Sequence, residues 1–324
     1  MSEIRVNRIV NAAGSGAPQF PSGFSLATGM GITNSPNITG AAVTFTGGID
    51  LAEISTTGTS TLMLDGTVAQ TITGAIDGDA AGEGQLQISN TSSSGATFAT
   101  AVGATALKGV DITASTGTAT FSSTVVATTV TNTGTATFDS TVTATNINIE
   151  TTGTTTFNGR IIETAASSSE LDLAGAATVT VGFGHTTAGS ANTVDKLDMS
   201  STSTLILDDT ITNAMFVFGT ATSTDAADIA DGAKIYMPVN LTNGQTVILT
   251  KTDDGGDVDT EVNSALQDTS LITYNSVEAD ASVTVTATEV GQTTVLSTIT
   301  ATIITIPTTT NCQKGLISIK TIPN

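Results

Sequence analysis

The chain has 324 residues, a formal charge of −20, nine Lys and Arg against 29 Asp and Glu, and 39% hydrophobic residues. So few scattered cations leave no footprint for a phosphate backbone, which argues against nucleic-acid binding. Only 12% of residues are charged, which argues against disorder, and one Cys excludes an internal disulfide.

About a fifth of the residues are Thr, joined by Ala, Ser and 32 Gly. That diet starves a compact core of large side chains and suits a thin body of small, stacked, repeated positions. Residues 1–40 carry Pro18, Pro21 and Pro36 with Gly-rich spacers. They read as an extended arm with one short strand from Ile4 to Val10, and Ile4, Arg5, Val6, Arg8, Ile9 and Phe20 are its contact residues. The opening has no apolar signal core, and no run approaches the length of a membrane helix, so no membrane insertion is expected.

Residues 41–232 show strand signals throughout: short alternating runs such as Ala42–Phe45, Leu62–Leu64 and Leu86–Ile88, bounded by Gly, Asn, Asp and Ser. Helical spacing is nearly absent. Within this stretch Thr116-Gly-Thr-Ala-Thr-Phe121 returns as Thr133-Gly-Thr-Ala-Thr-Phe138 and as Thr152-Gly-Thr-Thr-Thr-Phe157, with a weaker copy ending at Phe98. One such unit cannot bury its apolar side alone, but stacked units can. The expected fold is therefore all-β: a parallel β-helix-like solenoid shaft with Phe98, Phe121, Phe138 and Phe157 in its repeating core. At roughly 18 residues per coil the shaft would hold about eleven coils, or about 50 Å of rod.

Residues 233–324 read as a C-terminal antiparallel β cap or tip. Lys234–Leu241 and Thr246–Thr250 flank Asn243-Gly244, the signature of a hairpin, and strands are expected near 271–274, 282–288, 293–306 and 315–322. A cap would cover the unpaired edge of the last coil.

Candidate chemistry is sparse. Asp253, Asp254, Asp257, Asp259 and Glu261 form a Gly-spaced carboxylate cluster that could enclose calcium, though the spacing is not that of an EF-hand and a solvated acidic turn is the simpler expectation. Asp77 and Asp79 with Glu83 make a thinner version. His185 has no nucleophile-elbow pattern and no second imidazole beside it, and Cys312 reads as a small turn or buried residue. With no Trp and only Tyr236 and Tyr274, the usual stacking platforms of a polysaccharide-cleaving enzyme are missing. No enzyme activity, cofactor or resident metal is expected. Regular Thr arrays on a flat solenoid face can bind ice, and Thr118/Thr120, Thr135/Thr137 and Thr154/Thr156 would stack on one face.

The opening Ser2-Glu-Ile-Arg-Val-Asn-Arg-Ile-Val-Asn11, with the later Ala17-Pro-Gln-Phe-Pro21, resembles the start of tail-fibre and other appendage proteins of marine phages. The body, notably Thr71–Asp77 and Val102–Ile112, is similar to passenger repeats of bacterial autotransporters and filamentous adhesins. The first resemblance implies a virion protein assembled in the host cytoplasm. It would dock on other virion proteins through the arm, form homo-oligomers (usually trimers) and meet a polysaccharide or protein on the host surface. The second implies an extracellular adhesin or a filament subunit joined by strand addition. A depolymerase is the third reading.

Overall fold

The computed structural model describes residues 48–51, 58–113, 116–164, 169–182, 192–207 and 233–237, and the strand segments 31–32, 37–38, 42–44, 53–54, 216–218, 227–230, 246–252, 272–274, 281–288 and 296–305. Every regular element among them is a β-strand. Thirteen strands form one sheet, ten a second and five a third, alongside one isolated two-stranded pair. Pairing within the two large sheets is parallel throughout, so the fold is a β-solenoid.

The shortest coil shows how the sequence builds it. Thr118–Phe121 lies in the ten-stranded sheet, Val125–Asn132 in the thirteen-stranded sheet, and Thr135–Phe138 returns directly above Thr118–Phe121. Inward and outward positions alternate along each strand, as a pleat requires. In Val125–Asn132 the alternation breaks once: Val125 and Ala127 point inward, then Val130 and Asn132. Val142–Ile149 repeats the break, with Val142 and Ala144 inward and then Ile147 and Ile149. A phase slip at constant direction is impossible in a flat strand, so the chain turns a corner at Thr128 and at Thr145, and each coil has three sides. One coil later the two halves are separate strands, Ile161–Glu163 and Glu170–Leu173. One coil below the long strand Val102–Ile112, they are Ile76–Gly78 and Glu83–Ile88.

Ile72, Phe98, Phe121, Phe138, Phe157, Val181 and Leu207 are successive register partners, so six turns take 26, 23, 17, 19, 24 and 26 residues. The expectation of about 18 per coil holds only for the central Phe repeats. Elsewhere the coils are longer and therefore fewer, because extra residues enter at the corners while the strands keep their length. At one of these, Gly103-Ala-Thr-Ala106 bulges between Val102 and Leu107, whose partners Val125 and Ala127 are only two residues apart.

The core is a set of columns running up the shaft. Phe98, Phe121, Phe138 and Phe157 are fully buried and stacked, with ring centroids 4.6, 4.8 and 5.2 Å apart. A second column runs Leu86, Val110, Val130, Ile147, Leu171 and Leu197, also fully buried. Beside it, Ile112, Asn132 and Ile149 are register partners, which places an amide in an aliphatic column.

Asn132 is satisfied on every side. Its Oδ1 accepts from Gly134 N at 2.9 Å, and its Nδ2 donates to Thr155 Oγ1 at 2.8 Å and to the Thr154 carbonyl at 3.1 Å. Asn90 repeats the device at the same corner two coils earlier, accepting from Ser92 N and donating to Gln70 Oε1 and the Val68 carbonyl. Each Asn closes a turn and ties its corner to an adjacent coil, Asn90 to the one below and Asn132 to the one above, inside the core, where an unmet polar group costs about 1–3 kcal/mol. Asn132→Ile should therefore destabilise the shaft by about 1–3 kcal/mol despite its aliphatic neighbours, because it orphans the Thr155 hydroxyl. Adding Thr155→Val should recover part of the loss in denaturant titrations. A double variant no better than Asn132→Ile would refute this account.

Towards the C-terminus, Asn192–Val194, Phe216–Phe218 and Thr246–Thr252 stack in parallel as the third sheet. Leu296–Thr305 then pairs antiparallel with both Thr246–Thr252 and Ala281–Thr288. The two runs expected to flank a hairpin at Asn243-Gly244, a dipeptide outside the described residues, do not pair with each other. Lys234–Met237 pairs in parallel with Thr204–Leu207 in the ten-stranded sheet, whereas Thr246–Thr252 belongs to the third sheet. The two runs occupy different sides of a coil, each taken up by the open edge beneath it.

Candidate functional site

With the interior filled by side-chain columns, the surfaces available for function are the outward sides. The ten-stranded sheet presents two columns of Thr. One runs Thr71, Thr97, Thr120, Thr137, Thr156 and Thr180, unbroken over six strands. The other, two residues earlier in each strand, runs Thr118, Thr135, Thr154, Thr178 and Thr204. The three pairs visible as sequence repeats thus belong to a larger array, extended by Thr97 below and by Thr178 and Thr180 above. Thr residues at corners behave differently: the hydroxyls of Thr100, Thr113 and Thr133 bond to the carbonyls of Gly74, Ile88 and Ile112.

The neighbouring side, formed by the second halves of the bent strands, is acidic. Its outer column holds Gln87, Asp111, Thr131, Asn148, Asp172 and Asp198 in register. Lys196 sits beside it, with Nζ 2.8 Å from Asp198 Oδ2 and 3.2 Å from Glu170 Oε1. The hydrogen bond to Asp198 and then that to Glu170 hold the ammonium well above its ordinary value, against the opposing effect of burial. The Asp172 carboxyl is pushed up, first by burial and then by Asp198, Glu170 and Glu150, with Lys196 offsetting only part. Asp111 is raised mainly by burial and further by Glu150, while its hydrogen bond from Gln85 works the other way.

A carboxyl whose folded value lies above its unfolded value of 3.8 binds protons more readily when folded. The resulting penalty is present at neutral pH and fades as pH falls through the folded value. Asp172→Asn should thus stabilise the shaft at pH 7 by less than about 1 kcal/mol, the group being partly solvated. The gap to wild type should close as pH approaches 3.8. Equal gaps at pH 7 and pH 4 in paired denaturation curves would contradict that origin.

Asp77 and Asp79 do not form a metal centre with Glu83. Asp77 Oδ1 accepts from Ala104 N at 2.6 Å and so holds the Gly103–Ala106 bulge, while Asp79 is exposed. Among the described residues no group of three or more His, Cys, Asp or Glu could hold a metal ion. Ile4, Arg5, Val6, Arg8, Ile9 and Phe20 of the arm, the carboxylates Asp253, Asp254, Asp257, Asp259 and Glu261, and His185 and Cys312 lie outside the described residues. Sequence reasoning missed the buried pair Ser169 and Asp195, in which Asp195 Oδ2 accepts from Ser169 N at 2.8 Å and from Ser169 Oγ at 3.2 Å. It missed Asn132 as well. Neither carries a local pattern, because both are defined by what stacks above or below them. No protein-family model, curated protein or solved structure matches the chain.

Proposed function

We propose that the chain is a non-enzymatic structural protein of a phage virion, a tail or head fibre or other appendage, in which the solenoid serves as a shaft. The observation that carries this reading is the continuity of a core column: over five turns, from Ile72 through the four stacked Phe to Val181, each coil places a buried apolar side chain over the one below. Such a body is a spacer. It resists bending because every coil shares hydrogen bonds and buried area with both neighbours. The arm resemblance over residues 2–21 supplies the attachment, and the C-terminal strands supply the end that faces outward. The acidic side and the charge of −20 favour keeping separate rods apart in solution.

The test is deletion of residues 1–21 in a phage that carries this chain. The truncated protein should keep its β-sheet circular dichroism and its melting point, yet be missing from gradient-purified particles that contain the full chain. Normal incorporation of the truncated chain refutes the arm's role. Recovery of the full chain on intact bacterial cells and never in particles transfers the shaft to an adhesin or filament.

A further inference from the structure

The geometry points to an ice-binding face: we propose that the two Thr columns of the ten-stranded sheet bind crystalline water. The proposal does not depend on where the shaft is mounted. Four properties of the face carry it. First, it repeats in two dimensions. Successive rungs are a strand spacing apart, and the stacked rings beneath the Thr columns show that spacing directly at 4.6, 4.8 and 5.2 Å. Residues i and i+2 of one strand lie on the same side roughly 6.6 Å apart. The shorter rung spacings are close to the oxygen repeat of hexagonal ice along its a axis, and the spacing along the strand is of the same order as the repeat along c.

Second, the face keeps one register. The pairings that carry the columns from Thr118 to Thr204 contain no register shift. Third, the hydroxyls are available. None in either column has a protein hydrogen-bond partner among the described residues, unlike the corner hydroxyls of Thr100, Thr113 and Thr133. Fourth, the array is free of charge from Thr71 to Ile206. Charged groups order water radially around themselves and disrupt a lattice, and the acidic column is confined to a different side.

Thr suits the task because one β-branched side chain holds a hydroxyl and a methyl at a nearly fixed χ1. The hydroxyls anchor waters at the lattice points while the methyls hold intervening waters in cages. A surface of this kind presents water already arranged as at an ice front. The ligand is therefore ice and not a dissolved solute.

The test uses the full chain in dilute buffer below freezing. Ice-crystal shaping under the microscope, thermal hysteresis and inhibition of recrystallisation are compared for wild type, Thr137→Tyr and Thr131→Tyr. Thr137 is central in its column, whereas Thr131 points outward on the acidic side. Wild type and Thr131→Tyr should shape ice and block recrystallisation, and Thr137→Tyr should lose both. Because a bulky ring could disturb the fold, Thr137→Val serves as a second face variant, isosteric but lacking one anchor hydroxyl, with reduced hysteresis expected. Wild type that leaves ice growth unchanged overturns the proposal. So does a folded Thr137→Tyr variant as active as wild type, or equal losses from Thr131→Tyr and Thr137→Tyr.

Discussion

Phe138→Ala should be one of the two most damaging single substitutions in the shaft, at about 3–5 kcal/mol from lost transfer energy and the cavity left behind. Phe138 is fully buried and has a stacked ring on each side, Phe121 at 4.8 Å and Phe157 at 5.2 Å. A cavity there cannot collapse easily, because the backbone above and below is fixed by cross-coil hydrogen bonds such as Asp139 N to the Phe121 carbonyl and Asn158 N to the Phe138 carbonyl. Among the described residues Phe157 has one ring neighbour, and its upper register partner is Val181. Phe157→Ala should therefore be milder, by about 1 kcal/mol for the missing ring pair. Phe138→Leu keeps most of the volume and should cost less than about 1.5 kcal/mol. A stacked array need not unfold in one step, so the measurement is amide hydrogen exchange along the shaft alongside the thermal melt. Protection should fall first in the coils that contain residues 118–157. If Phe138→Ala shifted stability no more than Thr137→Ala, about 0.5 kcal/mol for a surface change, the ring stack would not be what holds the coils together.

That prediction rests on the part of the structure most legible in the sequence. A Phe after Thr-x-Thr at intervals of 17 and 19 residues is enough to place the ring inward, put both Thr outward and infer one coil per copy. The same pattern stops short of the whole face. Val179, Val181 and Leu205 continue the inward columns, but once Phe is replaced by an aliphatic residue nothing marks the repeat by eye. Coil length was misjudged for a related reason. The strands are constrained by their neighbours, whereas a corner only has to close, so residues added there leave the register intact and erase the period. The three-sided cross-section was legible in principle: in Val125-Val-Ala-Thr-Thr-Val-Thr-Asn132 two adjacent Thr interrupt the alternation at the corner. Asn132 was not legible. An Asn beside a Gly-containing turn reads as an exposed turn residue, and only the stacked Thr155 reveals it as a buried tie. The partners of Lys234–Met237 and Thr246–Thr252 were hidden for the same reason, because an Asn-Gly between two apolar runs does not say which sheet each run joins.

Where two coils approach too closely for any side chain, the cost of adding one should be as large as emptying the core. Gly103 has φ +78°, and a Cβ there would lie 1.9 Å from the Val126 carbonyl oxygen of the next coil. Gly82 has φ +83° with nothing within 4 Å of its Cβ position. The two glycines share a left-handed backbone and differ only in what stands opposite, which makes them a matched pair. Gly82→Ala should show the conformational term alone, about 1–2 kcal/mol, reduced by the entropy that Ala removes from the unfolded chain. Gly103→Ala adds a collision with backbone, which cannot rotate away as a side chain would. Relief requires the bulge to lift from Val126, weakening the hydrogen bonds that Asp77 Oδ1 accepts from Ala104 N and Thr105 N. The expected loss is on the order of 4 kcal/mol or more, in the range reserved for breaking a specific structural feature. Paired melts of the two variants decide it. Near-equal losses would mean that backbone conformation alone demands glycine at Gly103. A much larger loss for Gly103→Ala means that the glycine is there because the next coil runs too close, so the bulge between Val102 and Leu107 closes without interrupting the stack.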